Sequence, residues 1–200
     1  MKHFNAAVRV LIYLHGCKDR ALTFAPDVTR GFETYVDSSW LTSFSCSGAL
    51  LFYYGCLFHW FSKTQRSVTL SSAEAEYFGA MLACKEVLFV RDLLLDLLQR
   101  VCGPSLVLCD SKSAVAMAYD PVAFKKTKHI LRAAEFLRDL VAREVVTMRH
   151  VSGAIMLADL LTKAQARPVF TELLRSCACW MSMLLPGLLL CRSRTCSHVG

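Results

Sequence analysis

The sequence predicts an α/β fold built on a mixed β-sheet. Three apolar runs between residues 32 and 62 follow one another closely, as in an antiparallel meander. A long segment of helical period then covers about residues 71–99. Two further strand-like runs, 105–109 and 145–151, alternate with helical segments, as strands do when they join a sheet in parallel through right-handed crossovers. The composition permits such a fold. The chain has 200 residues, 54% of them hydrophobic and 20% charged, which excludes a disordered polyampholyte. Nine Gly and five Pro exclude collagen-like and proline-rich chains.

Residues 4–15 place Phe4, Val8, Leu11, Ile12 and Leu14 at helical spacing, with Gly16 as a stop. Leu22 to Phe24 reads as an edge strand, broken by Pro26-Asp27. Phe32 to Val36 runs into Asp37, Ser47 to Tyr54 is closed by Gly55-Cys56, and Leu57 to Ser62 completes the meander. Ser71 and Glu74 have the spacing of a capping box, in which Ser71 caps the helix and Glu74 returns the bond. On that helix Lys85, Asp92, Asp96 and Gln99 form one polar stripe. The remainder is apolar, so the helix is expected to be mostly buried. Ser105 to Cys109 is continuously apolar, as in a strand covered on both faces, and ends at Asp110. A short helix from Lys112 to Tyr119, an amphipathic helix from Thr127 to Arg143, a strand from Val145 to Val151 and a last helix from Ile155 to Ala164 follow.

The net charge of +7 lies at the ends. Residues 1–30 and 167–200 each carry +3, whereas residues 31–166 hold 14 basic and 13 acidic side chains. The middle therefore matters for its acids. Ten Cys are present, but Cys84 and Cys109 sit inside apolar runs, where a free thiol acts as a small hydrophobe, and no CxxC pair occurs. With no apolar leader after Met1, free thiols in a reducing, intracellular compartment are expected.

Asp37 and Asp110 each end a strand, and sites form at the carboxyl ends of neighbouring parallel strands. Glu76 lies in the second turn of the long helix and Asp159 in the last helix. Together the four carboxylates form an oxygen-rich pocket suited to Mg²⁺. The simpler alternative is local: Asp110-Ser111 caps the next helix, and Asp159 faces solvent. Glu74 and Glu76, two apart on a helix, point roughly 200° apart and cannot serve one ion together.

Five strings occur in the order found in the ribonuclease H domain of Copia-type LTR retrotransposon Pol polyproteins. Tyr35 to Trp40 (YVDSSW) resembles the family's Tyr-x-Asp-x-Asp-Trp, and Leu70 to Tyr77 (LSSAEAEY) its Leu-Ser-Ser-x-Glu-Ala-Glu-Tyr. Cys109 to Ala114 (CDSKSA), Lys126 to Ile130 (KTKHI) and Leu157 to Lys163 (LADLLTK) resemble Cys-Asp-Asn-x-Ser-Ala, Arg-Thr-Lys-His-Ile and Leu-Ala-Asp-x-Leu-Thr-Lys. Residues 3–24 are similar to the segment joining reverse transcriptase to ribonuclease H.

The resemblance implies a ribonuclease H-like domain over residues 31–166, preceded by a remnant of that connection (1–30) and followed by a divergent tail (167–200). It implies a sheet of order 3-2-1-4-5, with the strands ending at Asp37 and Asp110 adjacent and parallel. It makes Asp37, Glu76, Asp110 and Asp159 the catalytic metal ligands, for two Mg²⁺ ions with Mn²⁺ as an alternative. The implied reaction is two-metal hydrolysis of the RNA strand of an RNA–DNA hybrid, with no small-molecule cofactor and no membrane. Lys125, Lys126 and Lys128 form a basic cluster that would meet phosphates, or else a solvated helix start. His150, as a proton shuttle or an ordinary sheet residue, is a further candidate.

Three features depart from the family pattern. Ser39 replaces a second acid, the Trp40–Ser47 connection is short, and the likeness stops after Lys163. The apolar stretch from Cys177 to Cys191 falls short of the about 20 residues of a membrane span and is interrupted by Ser182 and Pro186. Residues 173–200 are expected to pack poorly. The reading also places the polymerase outside this chain, as in a truncated element. Two functions stay open: an active ribonuclease H, or an inert remnant or non-catalytic nucleic-acid-binding module that keeps the fold.

Overall fold

A computed structural model of the chain describes residues 1–18, 20–22, 24–40, 44–65, 69, 71–98, 103–120 and 128–177. The first helix, α1 (Lys2–Gly16), belongs to one unit with Met1–Thr23 and buries none of its residues. The second unit starts at Phe24. The predicted edge strand at 22–24 includes residue 23, which lies outside the described residues.

In the second unit, strands β1 (Phe32–Ser39), β2 (Cys46–Tyr53) and β3 (Cys56–Thr64) form the meander. Helix α2 (Ser72–Leu98), strand β4 (Ser105–Cys109), helices α3 (Lys112–Tyr119) and α4 (Lys128–Ala142) and strand β5 (Val146–His150) follow. The sheet order is β3-β2-β1-β4-β5, as expected. β1 is antiparallel to β2 and parallel to β4, and β5 is parallel to β4. Val36 pairs with Cys109, so Asp37 and Asp110 are the next residues on two adjacent parallel strands.

Alternation along the strands gives the sheet two apolar faces. On one, Phe32, Val36, Ala49, Leu51, Val107 and Met148 pack with Ala80, Cys84 and Val87 of α2 and Ala134 and Leu137 of α4. On the other, Leu50, Phe52 and Leu108 are also buried. Helix α5 (Asp159–Thr162) lies against this second face, where a Cβ on Gly48 would stand 2.7 Å from Leu161 Cβ and 2.9 Å from Thr162 Cγ2.

Three expectations need correction. The last predicted helix, 155–164, is a single 3₁₀ turn (Gly153–Ile155) followed by the four-residue α5. Burial of Met156, Leu157 and Ala158 between them turns the chain inward. Helix α2 is buried only as far as Val90. Phe89 is 65% exposed and Leu93, Leu95, Leu97 and Leu98 are exposed as well, because the helix outruns the sheet it covers. The compact unit also includes residues on either side of 31–166. Its start is tied in by the Asp27 N–H donating to Tyr54 O, and its end adds helix α6 (Arg167–Ser176). Leu173 and Cys177 are buried, so the segment expected to pack poorly contributes to the core at its beginning. Residues 178–200 lie outside the described residues.

The described cysteines, Cys17, Cys46, Cys56, Cys84, Cys109 and Cys177, carry free thiols. No helix among the described residues is long and apolar enough to cross a membrane.

Candidate active site

The site forms where β1 and β4 end. Asp37 is fully buried (0% exposed) at the end of β1. Asp110 follows β4 directly. Ser111, not Asp110, caps α3, its Oγ accepting from the Ala114 N–H at 3.2 Å. This local solution to the unsatisfied helix amides leaves the Asp110 carboxylate free for the pocket. Carboxylate oxygens of Asp37, Asp110 and Asp159 lie within 4.8 Å of one another, and Glu76, the Cys109 thiol and Asp110 meet the same limit. The four predicted acids thus converge from β1, α2, β4 and α5.

Glu76 reaches the pocket because α2 packs tightly on β1 and β2. At Gly79 an added Cβ would lie 2.1 Å from Ser38 Oγ, so any larger residue would hold the helix away. Ser38 and Ser47 hydroxyls meet at 3.0 Å, and Gln65 Nε2 donates to Ser47 Oγ and to Ala75 O, tying the start of α2 to the strands. Glu74 takes the capping side: its N–H donates to Ser71 Oγ at 3.2 Å, and its carboxylate is not part of the convergent groups among the described residues.

Crowding of acids shows in their proton affinities. Glu76 is 9% exposed, and its Oε2 has no hydrogen-bond partner among the described residues. Burial, then Asp37 and Asp110, push its pKa up to about 8. Burial and Asp37 also raise that of Asp110. A divalent cation answers both effects, since it partners buried oxygens and cancels their repulsion. The carboxylate set therefore fits a hard divalent cation. The Cys109 thiol does not compete: burial pushes its pKa up to about 12, and a hard cation prefers oxygen.

Sequence reasoning assigned no role to the residues that follow Asp159. Thr162 Oγ1 donates to Asp37 Oδ2 in a short hydrogen bond, and Lys163 Nζ contacts Asp37 Oδ1 at 3.1 Å and Asp159 Oδ1 at 2.8 Å. Gln165 Nε2 donates to Asp159 Oδ2 at 3.3 Å. Burial opposes the charge on Lys163, but its hydrogen bonds and attraction to Asp159 and Asp37 outweigh this and raise its pKa. The Asp159–Lys163 spacing of four residues was the available signal. His150 ends β5 and is exposed. Lys125 and Lys126 lie outside the described residues, as does the side chain of Lys128.

Comparison with known proteins adds an independent line. No protein-family model matches the chain. Over 177 residues it is 31% identical to the retrovirus-related Pol polyprotein of transposon RE2 from Arabidopsis thaliana, covering 86% of this chain and 12% of that protein. The polyprotein of transposon TNT 1-94 from Nicotiana tabacum is 30% identical over 177 residues, covering 84% and 13%. The chain is homologous to a segment of Copia-type Pol polyproteins. It spans only about an eighth of these Pol relatives.

Solved structures place this chain in the ribonuclease H fold. A ribonuclease H domain from Mycobacterium tuberculosis superposes with a TM-score of 0.51 at 16% identity, covering 73% of this chain and 97% of that one. LC11-RNase H1, from compost, gives 0.54 at 18% identity, covering 66% and 92%. The same enzyme in complex with RNA/DNA hybrid gives 0.50 at 17% identity, covering 66% and 93%.

Proposed function

We propose that this Pol segment is a metal-dependent ribonuclease H that hydrolyses the RNA strand of RNA–DNA hybrids inside the cell. The observation that carries the reading is the gathering of Asp37, Glu76, Asp110 and Asp159 at the ends of β1 and β4, in two groups that share Asp110, with a Glu76 oxygen that has no partner among the described residues. In this reading the four carboxylates hold two Mg²⁺ or Mn²⁺ ions. When bound, the metal supplies Lewis acidity, making water a better nucleophile and neutralising charge at the phosphate.

The chain's own residues supply the rest. Buried Asp37 is fixed by Thr162, so its carboxylate is held in one orientation before substrate arrives. Glu76, whose proton affinity is raised by burial and by Asp37 and Asp110, would release its proton to make room for a bound cation. Water would then add to the phosphorus as the bond to the 3′ oxygen breaks, giving a 5′-phosphate and a 3′-hydroxyl, with the leaving oxygen taking up a proton as the attacking water loses one. Strand choice would rest on 2′-hydroxyl contacts and groove shape, with Lys125, Lys126 and Lys128 meeting phosphates. The hybrid-bound structure of LC11-RNase H1 supports this substrate class.

The test uses the full chain and a hybrid labelled on the RNA strand, in Mg²⁺, Ca²⁺ or EDTA. The expected result is RNA-strand cleavage in Mg²⁺ alone, absent in single-stranded and duplex DNA controls. Hybrid binding with no cleavage in Mg²⁺ or Mn²⁺ would instead establish the non-catalytic module, and neither binding nor cleavage the inert remnant.

A further inference from the structure

The cluster already contains a cation. The Lys163 ammonium lies 3.1 Å from Asp37 Oδ1 and 2.8 Å from Asp159 Oδ1. The other oxygens of the same two carboxylates are held by Thr162 and Gln165. Lys163 also attracts Glu76 and Asp110, opposing the repulsion that raises their proton affinity. Its side chain is 40% exposed, so the ammonium has a route back to water. We propose that Lys163 is the resident counter-ion of the site: it bridges Asp37 and Asp159 while no divalent ion is bound, and leaves at least one of them when one binds.

This rests on reading the carboxylates as a metal site. A monovalent charge on a tether has high local concentration but partners only part of a four-acid cluster. A divalent ion can take several oxygens at once and repels the ammonium. Metal binding is then an exchange of cations rather than the filling of an open site. Lys163 has two consequences of opposite sign: it keeps α5 seated against β1 in the metal-free protein, and it weakens the apparent affinity for metal. It is a positioning residue, since it acts through the acids that it contacts, Asp37 and Asp159.

The test compares Mn²⁺ affinity, by calorimetry on the full chain, in wild type, K163M and K163R, with melting temperatures in EDTA. K163M should bind Mn²⁺ about tenfold more tightly, within the usual range for two coupled ligands. It should also melt lower in EDTA and gain more from Mn²⁺. K163R, which retains the charge, should stay near wild type in both. Equal or weaker Mn²⁺ binding by K163M would overturn the exchange and leave only an ordinary ion pair.

A second measurement needs no variant. In wild type with isotope-labelled lysine, the Lys163 ammonium resonance should move toward the solvent-exposed position as Mg²⁺ saturates the site, and an unmoved resonance at saturation would overturn the proposal. Failure of wild type to bind either metal removes both this inference and the metal-site reading. Metal binding with cation exchange but no hybrid cleavage removes only the nuclease.

Discussion

Replacing Glu76 by Gln isolates the electrostatic load of the metal-free site. The glutamine keeps the shape of the protonated acid but cannot ionise. Glu76 moves from an ordinary value of 4.5 in the unfolded chain to about 8 in the folded one. The folded state therefore binds this proton more tightly. Its stabilisation is complete below pH 4.5 and is lost as pH rises through 8. Between these limits the folding equilibrium falls roughly tenfold per pH unit, and the full window is worth about 5 kcal/mol.

Wild type and E76Q should thus have similar stability at pH 5 in EDTA. At pH 8 the variant should be the more stable, by about 3 kcal/mol, or roughly 6–12 °C in melting temperature for a chain of this size. Adding Mn²⁺ at pH 8 should reverse the order, because only wild type then gains a carboxylate ligand. Urea unfolding from pH 5 to 8, with and without metal, reads all of this. Parallel stability curves for the two proteins in EDTA would refute the argument, since Glu76 would then carry no excess proton affinity.

Three other outcomes follow from the same geometry. D110N should lose at least about a hundredfold in hybrid cleavage while retaining hybrid binding in a gel-shift assay, as removal of one electrostatic contributor to a transition state does elsewhere. Retained cleavage would remove Asp110 from the site. G48A would drive a methyl group into Leu161 and Thr162, so it should cost about 1–3 kcal/mol in unfolding experiments and weaken Mn²⁺ binding by displacing Asp159. Unchanged stability and affinity would show that α5 yields freely. L173A should destabilise by about 2 kcal/mol or more in a thermal melt, since Leu173 is buried; a neutral result would return α6 to the tail.

The strand order and the four acids were legible because each has a local signature. Strands show as runs bounded by Asp37, Gly55 and Asp110, and the matched strings point to Glu76 rather than Glu74, the one of the two that lies near Asp110. Elsewhere the pattern was ambiguous for physical reasons. The apolar period of α2 continues to Leu98, but periodicity records which face is apolar and not whether anything covers it. The single helix expected at 155–164 failed because burial of Met156 to Ala158 overrode local helix preference. Helix α6 carries Pro168 at its start, a local helix signal in a stretch where the resemblance has already ended. The Lys163 bridge to Asp37 spans 126 residues, a tertiary pairing that no local spacing reveals.

That separation also orders events during synthesis. Asp37 emerges early, whereas Asp159, Thr162 and Lys163 emerge after nearly the whole of the sheet. Contacts joining such distant parts close late, after the loops between them have been ordered. A nascent or prematurely terminated chain can build the meander, α2 and β4 and still lack the fourth acid and the lysine that seats it. The constellation at the ends of β1 and β4 therefore reports completion of the fold: unfinished chains carry three acids and no means of closing the ring.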